Sequence, residues 1–358
     1  MIWRLCFTVV LTVCSSFVAV IPLWAQGYVD TGDRIDGIAV ISELEVDALA
    51  AGRYQFYFQA GWRSTGEKIH VPILVLKGLG KGKKLLLTAA VHGDELNGIQ
   101  VIHSLFNQLD EHEISGALIG VPGVNQPGLH ANNRHFVGTS GGGHMVDPNR
   151  LFPGAMTGGG AASLYVGTIW DKVLRDNADI AVDLHTQSRG AAYPLFVFAD
   201  FANATAQQMA YALMPDMIKN DPGQAGTLET AYISNGIPAV TFELGAAGVW
   251  QKDMIARAEL GIQNVMRIHG ILDGVVTKPL KTPFVGSNYT NIYSVEGGLS
   301  HILVDLQAQV SKGDHIATIV DPLGREVRRY YAPHDGQVLS VATDPRREAG
   351  AMLVRILQ

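Results

Sequence analysis

Short apolar runs alternate with longer amphipathic segments over most of the chain, and this alternation predicts its fold. Apolar runs bounded by glycine or polar residues indicate buried strands, whereas apolar residues recurring every three or four positions indicate helices. The predicted strands cover residues 54–58, 71–77, 85–91, 117–121, 180–184, 195–199 and 239–244, with a turn at 78–84. The predicted helices cover residues 96–109, 161–175, 204–219, 227–234 and 254–272. Alternating strands and helices predict an α/β fold with a mainly parallel or mixed sheet and helices on both faces.

The pattern changes after residue 281, where short strand-like pieces such as HIATIV, GQVLSV and MLVRIL alternate with turns. This texture predicts a small all-β, barrel-like domain. Its phrases resemble biotinyl or lipoyl carrier domains, but the corresponding turn at 321–326 (DPLGRE) has no lysine to carry a cofactor. We therefore predict an α/β domain over residues 26–280 and a β domain over residues 281–358.

The first 25 residues differ from the rest of the chain. A positively charged start, an apolar stretch over 5–23 and a small residue before a cleavage point are typical of a secretory signal peptide. An uncleaved membrane anchor is the alternative, which the short apolar core and Pro22 disfavour. Cys6 and Cys14 both lie here, so the mature chain has no disulfide or thiolate chemistry. We predict export, for example to a bacterial periplasm, without membrane attachment after cleavage.

Charge narrows the range of partners. The formal net charge is −6 at pH 7, and Lys and Arg form no basic face, which argues against nucleic-acid binding. A small carboxylate-bearing substrate would need a local positive site within such an acidic chain. The sequence gives no indication of an oligomeric state.

Polar side chains stand where three predicted strands end. His92 and Glu95 follow one strand, His185 follows another, and Glu243 is near the end of a third. Because the carboxyl ends of parallel strands share one edge of a sheet, we expect these side chains to gather there. Two histidines and a glutamate form a known catalytic zinc set, which leaves one position open for water. Glu243 is then the candidate general base.

Each of these residues has a structural alternative when taken singly. His92 could be a hydrogen-bonded core histidine, Glu95 a first-turn helix residue favoured by the helix dipole, and Glu243 the partner of an arginine. Their joint occurrence favours metal binding. Residues 138–142 also match G-x-S-x-G literally, but that motif requires a strand before the serine and a helix after it. Ser140 is therefore not predicted to be a nucleophile.

Four motifs, in this order and spacing, resemble the succinylglutamate desuccinylase/aspartoacylase family of the zinc carboxypeptidase-like group: HGDE at 92–95, DPNR at 147–150, DLH at 183–185 and FELG at 242–245. The resemblance extends over roughly residues 70–358. It implies a hydrolase that cleaves an amide bond with one zinc ion, bound by His92, Glu95 and His185.

The resemblance also implies roles for residues around the metal. Glu243 would be the general base, Asn149 and Arg150 would hold a substrate carboxylate, and Arg134 would stabilise the oxyanion. The chemistry agrees, because the planar guanidinium of an arginine meets a carboxylate with two parallel hydrogen bonds. In the family, the C-terminal β domain partly covers the mouth of the active site, and we predict the same here.

The sequence therefore predicts an exported zinc-dependent amidohydrolase that acts on a small N-acyl amino acid or a similar carboxylate. A zinc carboxypeptidase acting on short or cell-wall peptides is the alternative, since it would use the same residues. A non-catalytic binding protein is a further alternative, but such a protein has no need of a base like Glu243.

Overall fold

The computed structural model describes residues 27–140 and 143–358. The predicted signal peptide, residues 1–25, lies outside the described residues. Within the described ranges, no helix combines the length and the apolar composition needed to cross a membrane.

The strands and helices have the following bounds. The strands of the first part are β1 Tyr28–Ile35, β2 Ile38–Leu44, β3 Gly52–Trp62, β4 Lys68–Lys77, β5 Gly80–Ala89, β6 Ser115–Pro122, β7 Phe136–Gly138, β8 His144–Val146, β9 Ile180–Gln187, β10 Ala191–Ala192, β11 Leu195–Ala199, β12 Met217–Asn220 and β13 Ala239–Ala246. The later strands are β14 Phe284–Gly286, β15 Tyr289–Tyr293, β16 Gly298–Ile302, β17 Gln309–Val310, β18 His315–Val320, β19 Glu326–Tyr331, β20 Gly336–Ala342, β21 Arg346–Arg347 and β22 Met352–Leu357. The α-helices are α1 Asn97–Gln108, α2 Gln126–His130, α3 Gly160–Ile169, α4 Ala204–Ala212, α5 Leu228–Ser234 and α6 Lys252–Ile268.

An eleven-stranded mixed sheet, in the order β1-β2-β3-β4-β6-β5-β9-β13-β11-β12-β14, forms the centre of the molecule. Its middle strands β6, β5, β9 and β13 run parallel to one another. Parallel strands that are buried on both faces have nearly continuous apolar sequences, which explains why the sequence pattern identified β5, β9 and β13.

Helices cover both faces of this sheet. Leu85 and Leu87 of β5 pack in one apolar cluster with residues of α1, α4 and α6. Leu86, which points to the opposite face, belongs to a second cluster with residues of α3 and α5. The predicted fold class, α/β with a mixed sheet and helices on both faces, is confirmed.

Three local predictions were wrong or incomplete. The turn at 78–84 is mostly strand, because β5 begins at Gly80. The helix predicted over 204–219 ends at Ala212, since Pro215 cannot continue it and Met214 adopts a left-handed φ of 51°. The remaining residues form β12, which pairs with β11 and β14. Strands β1 and β2 escaped prediction because they are partly exposed and their pairing has register shifts.

The C-terminal strands form two further sheets, ordered β10-β20-β22-β15 and β19-β18-β16-β21. Their own apolar cluster includes Ile316, Val338 and Ile356. Two strand pairs connect them to the rest of the chain: β10 pairs with β20, and β14 joins the large sheet beside β12. Because strands cross the predicted boundary at residues 280/281 in this way, the division into two domains stays a prediction.

Candidate active site

The turn after β5 places His92 and Glu95 at the carboxyl edge of the large sheet. The strand ends at Ala89, and Ala90 adopts a left-handed φ of 54°, which directs the chain out of the sheet. A residue other than glycine is unusual in this region of φ/ψ space, and such residues cluster at functional sites. The backbone N–H of Glu95 donates to the carbonyl of His92 at 3.1 Å, and α1 begins two residues later.

His185 and Glu243 reach the same place from neighbouring strands. They are aligned partners in the parallel pair β9 and β13, and both are buried. Both strands continue beyond these residues, whereas the sequence pattern ended them there. Asp183 and Thr241 occupy the preceding aligned position on the same face of the sheet.

The donor atoms of the predicted metal ligands converge on one point. The Nδ1 atom of His185 lies 3.1 Å from Nδ1 of His92 and 2.8 Å from Oε2 of Glu95, and Nδ1 of His92 lies 2.9 Å from Oε1 of Glu95. The ligand atoms all lie within 4.8 Å of one another and all three residues are buried. Ligands of a tetrahedral zinc ion are separated by roughly 3.3 Å, so this donor set fits a single zinc ion after a small expansion.

Two aspartates hold the opposite nitrogens of these histidines. Asp183 Oδ2 lies 2.8 Å from Nε2 of His185, and Asp147 Oδ1 lies 3.1 Å from Nε2 of His92. Carboxylates in this position fix the tautomer of a metal-binding histidine and make it a better ligand. Burial opposes ionisation of Asp147, but the hydrogen bond and charge of His92 hold its pKa well below its usual range. Sequence reasoning missed both roles, although each aspartate lies in a motif that it had identified.

Arg134 lies beside the candidate ligands. Its Nη1 donates to Oε1 of Glu95 at 2.7 Å, and its Nη2 is 3.8 Å from Oδ2 of Asp147. A close backbone approach positions it: the carbonyl of Arg134 accepts from the N–H of Gly93, and a Cβ atom on Gly93 would lie 2.1 Å from the backbone of Gly128. The guanidinium therefore borders the candidate metal site, where an oxyanion-stabilising group would be needed.

Asn149 and Arg150 stand on the other side of His185. The side chain of Asn149 accepts from the N–H of Leu228 at 2.8 Å, and its Nδ2 is 3.4 Å from Nε2 of His185. Arg150 is exposed, and its Nη1 donates to the carbonyl of Asn149 at 2.6 Å. Both side chains line the cavity described below, so both are in place to contact a bound carboxylate.

Glu243 is buried next to these groups. Its Oε2 has no hydrogen-bond partner among the described residues, and its side chain lines the cavity. Burial raises the pKa of Glu243 to about 8, partly offset by the charge of His185 and reinforced by that of Glu95. A carboxyl group with a pKa near neutrality can both accept and return a proton.

A cavity of about 220 Å³ connects these side chains and extends beyond them. The C-terminal strands supply part of its wall, Tyr289 from β15 and Arg355 from β22, two residues that the sequence prediction of a covering β domain had not identified. Arg355 donates to the hydroxyl of Tyr193 and lies 4.4 Å from the ring centroid of Tyr289. No local sequence motif marks these residues. Only tertiary packing brings the last strand, β22, to the edge of the large sheet, so the sequence pattern could not reveal them.

The serine of the G-x-S-x-G match lies elsewhere. Ser140 is exposed and follows β7, which pairs with β8 as a short antiparallel ladder. This is a hairpin and not the strand–turn–helix arrangement that a nucleophile elbow requires.

The site has the residues expected of an α/β hydrolase: at the edge of a mixed sheet, a buried His-Glu-His group that could hold a metal ion stands beside a further carboxylate. A family model described as the succinylglutamate desuccinylase/aspartoacylase catalytic domain matches residues 81–269. The chain therefore belongs to the succinylglutamate desuccinylase/aspartoacylase family, and the family that its motifs indicated is confirmed.

Individual relatives are similar over most of their length. The chain is 28% identical over 291 residues to an N-alpha-acetyl-L-2,4-diaminobutyric acid deacetylase of Halomonas elongata, which covers 75% of this chain and 80% of the relative. It is 25% identical, with a TM-score of 0.75, to the product-bound ectoine utilization protein EutE (DoeB) of Ruegeria pomeroyi, covering 86% of this chain and 95% of that one. A succinylglutamate desuccinylase of Silicibacter sp. TM1040 has the same fold, with 24% identity, a TM-score of 0.75, and coverage of 86% and 96%. The family and the deacetylase relative support hydrolase activity.

Proposed function

We propose that this chain is an exported zinc-dependent deacylase that hydrolyses the amide bond of a small N-acyl amino acid. The observation that carries this proposal is the convergence of His92, Glu95 and His185 beside the buried carboxyl of Glu243, whose Oε2 has no partner among the described residues. The apolar, positively charged start of the sequence supports export to a compartment such as the periplasm.

His92, Glu95 and His185 would hold the zinc ion, and Asp147 and Asp183 would orient the two imidazoles. Zinc, when bound, acts as a Lewis acid that polarises a carbonyl and lowers the pKa of water. Three carboxylates surround two imidazoles here, so the buried donor set carries an excess of negative charge that a divalent cation would neutralise.

The side chains of the protein supply the remaining functions. Glu243 takes a proton from the attacking water and returns it to the nitrogen that leaves as the amine, which completes hydrolysis of the C–N bond. Arg134 donates hydrogen bonds to the oxygen that becomes negative as the carbonyl is attacked. Arg150, assisted by the amide of Asn149, binds the carboxylate of the amino-acid part.

The size of the cavity and the relatives favour a small substrate. A cavity of about 220 Å³ is below the volume of typical drug-sized sites, about 300–1,000 Å³. Tyr289 and Arg355, which belong to the C-terminal strands β15 and β22, form part of the cavity wall and narrow the cavity. The Halomonas relative is a deacetylase of an acetylated diamino acid, which is a molecule of suitable size. These points favour an N-acyl amino acid over the peptides of a carboxypeptidase.

Metal analysis of the purified chain, combined with a substrate panel, tests the proposal. We expect about one zinc per chain, release of free amino acid from N-acetyl and N-succinyl amino acids, and loss of turnover with phenanthroline. Readdition of zinc should restore turnover. Full activity after metal removal would reject the zinc role, and faster release of the C-terminal residue from short peptides would favour the carboxypeptidase.

A further inference from the structure

We propose that Glu229 selects substrates that carry a positively charged ammonium group at the end of a short side chain. This inference rests on the proposed deacylase function and assigns a second binding position within the same cavity. Glu229 lies in the first turn of α5, a helix that covers the β9 and β13 strands beside the active site.

Glu229 is an unusual residue in its surroundings. Its side chain is only 5% exposed, yet it lines the cavity. One oxygen, Oε2, accepts a hydrogen bond from the hydroxyl of Thr241 at 2.9 Å, whereas Oε1 has no partner among the described residues. A buried carboxyl oxygen without a partner is costly, and in a binding cavity this cost indicates a ligand group that satisfies it.

The position of Glu229 relative to the metal ligands suits a short side chain. Thr241, which holds Glu229, lies two residues before Glu243 on the same face of β13. Two residues of a strand span about 7 Å. A ligand whose amide bond lies at Glu243 must therefore extend by about this distance to reach Glu229. A side chain of a few C–C and C–N bonds, each roughly 1.5 Å long, is long enough.

Charge around Glu229 favours a cation. The carboxylates of Asp183, Asp200 and Asp221 all add negative potential at this residue. Asp221, which also lines the cavity, is already paired with Lys219 at 2.7 Å, so it does not compete for the incoming group. Burial, reinforced by these carboxylates, raises the pKa of Glu229 well above its usual range, and an arriving ammonium would offset that penalty.

The cationic side chains of the cavity have other partners. Arg134 is bound to Glu95, Arg150 to the carbonyl of Asn149, and Arg355 to Tyr193. The cavity therefore combines arginines that already have partners with an acid, Glu229, whose Oε1 has none among the described residues. This arrangement is complementary to an N-acyl amino acid with an anionic α-carboxylate and a cationic side chain.

Matched substrates test the inference on the unmodified protein. Nα-acetyl-L-2,4-diaminobutyrate and Nα-acetyl-L-norvaline have side chains of equal length, ending in an ammonium and a methyl group respectively. We expect kcat/KM for the cationic compound to be higher by about 30-fold or more, the effect of one buried charge pair. N-acetyl-L-glutamate should be the poorest of the three, because its side-chain carboxylate would face Glu229.

The variant Glu229→Gln removes the charge and keeps the shape. We expect it to lose the preference, mainly through a higher KM for the cationic substrate. Glu348→Gln, which alters an exposed glutamate, should keep the preference. Thermal unfolding of both variants verifies that they are folded.

The outcomes separate this inference from the proposed function. Hydrolysis of all three substrates at similar rates, or an unchanged preference in Glu229→Gln, would overturn the role of Glu229 and leave the deacylase proposal intact. Failure of the unmodified zinc-loaded protein to hydrolyse any N-acyl amino acid would overturn the deacylase proposal itself.

Discussion

The parallel strands β9 and β13 carry two successive aligned pairs of residues on one face, and the two pairs have different chemistry. We call His185 and Glu243 the upper level, and Asp183 and Thr241 the lower level. At the upper level, His185 and Glu243 are aligned neighbours on β9 and β13, and ring nitrogens of His92 and His185 lie within hydrogen-bonding distance of Glu95. One step lower, Asp183 and Thr241 are aligned neighbours, and the hydroxyl of Thr241 donates to Glu229. Each level leaves one carboxyl oxygen without a partner among the described residues, Oε2 of Glu243 above and Oε1 of Glu229 below, but only the upper level has three further groups close enough to share one cation.

This difference shows how one edge of a sheet can place catalytic groups and substrate-selecting groups at separate positions. Parallel strands hold side chains at fixed intervals, so groups two residues apart remain about 7 Å apart. Asp183 connects the levels, because it accepts from Thr88 at 2.6 Å and holds His185 at 2.8 Å. Substitutions at the upper level should therefore affect metal and rate, and those at the lower level should affect selectivity and stability.

Replacing His185 with alanine should have the largest effect. The variant loses one of three metal donors, and we expect zinc content to fall and kcat/KM to drop at least about 10³-fold, since several kcal/mol of barrier lowering depends on the metal. Elemental analysis and a deacylation assay measure both. His301→Ala, an exposed histidine of β16, should change neither. A His185→Ala protein that is active without metal contradicts the assigned site.

Replacing Glu243 with glutamine should separate rate from metal binding. Glutamine keeps the shape but cannot accept the proton, so kcat should fall by about 10² to 10⁴-fold while zinc stays bound. Single-turnover kinetics and metal analysis on the same preparation check this. Comparable kcat in the variant would assign proton transfer to a different group.

Replacing Asp183 with asparagine should weaken the hydrogen bond by which the lower level orients His185 of the upper level. Asparagine has no negative charge and only one accepting oxygen, whereas the carboxylate accepts from both Nε2 of His185 and the hydroxyl of Thr88, so zinc affinity should fall by about 10 to 100-fold. Competition with a zinc chelator measures the affinity. Asp36→Asn changes an exposed aspartate with a left-handed φ of 49° and should leave the affinity unaltered. Equal affinities in the two variants would mean that Asp183 does not orient the imidazole.

The smallest effect concerns stability at the lower level. The pKa of Glu229 is raised in the folded chain above its unfolded value, so the folded state binds more protons once the pH exceeds about 4.5. The stability of the natural chain should therefore fall, relative to Glu229→Gln, as the pH rises from about 4.5 towards the folded pKa. Each unit of pKa difference contributes about 1.4 kcal/mol. Urea unfolding of both proteins across this range measures it, and parallel pH profiles would show that Glu229 is not perturbed.

The C-terminal strands are best tested by point substitutions. Phe284, Leu339 and Leu357 pack with Phe196 and neighbouring residues of the large sheet. Removing everything after residue 281 would expose this cluster and destabilise the fold, so a change in selectivity could not be attributed to the cavity wall alone. Arg355→Met keeps the packing of β22 while removing the charge from the cavity.

Much of the fold follows from local pattern. The buried strands β5, β9 and β13 are continuous apolar runs, and α1 and α6 have clear amphipathic spacing, so their positions could be predicted from the sequence. The strand β12 could not, because its four residues acquire a strand conformation only through pairing with β11 and β14. Pro215, which ends α4, was the local signal that the prediction overlooked.

By itself, the sequence indicated the candidate ligands His92, Glu95 and His185 and the candidate base Glu243, because each lies in or just after a strand that its own apolar residues specify. Only the tertiary structure decided which groups support the candidate ligands and which group we propose to select the substrate. Asp147 and Arg355 approach the cavity from distant segments, and the burial of Glu229 arises from packing of α5 over β13. Local patterns encode which strand a residue follows, whereas desolvation and the absence of a partner depend on every element that surrounds the group.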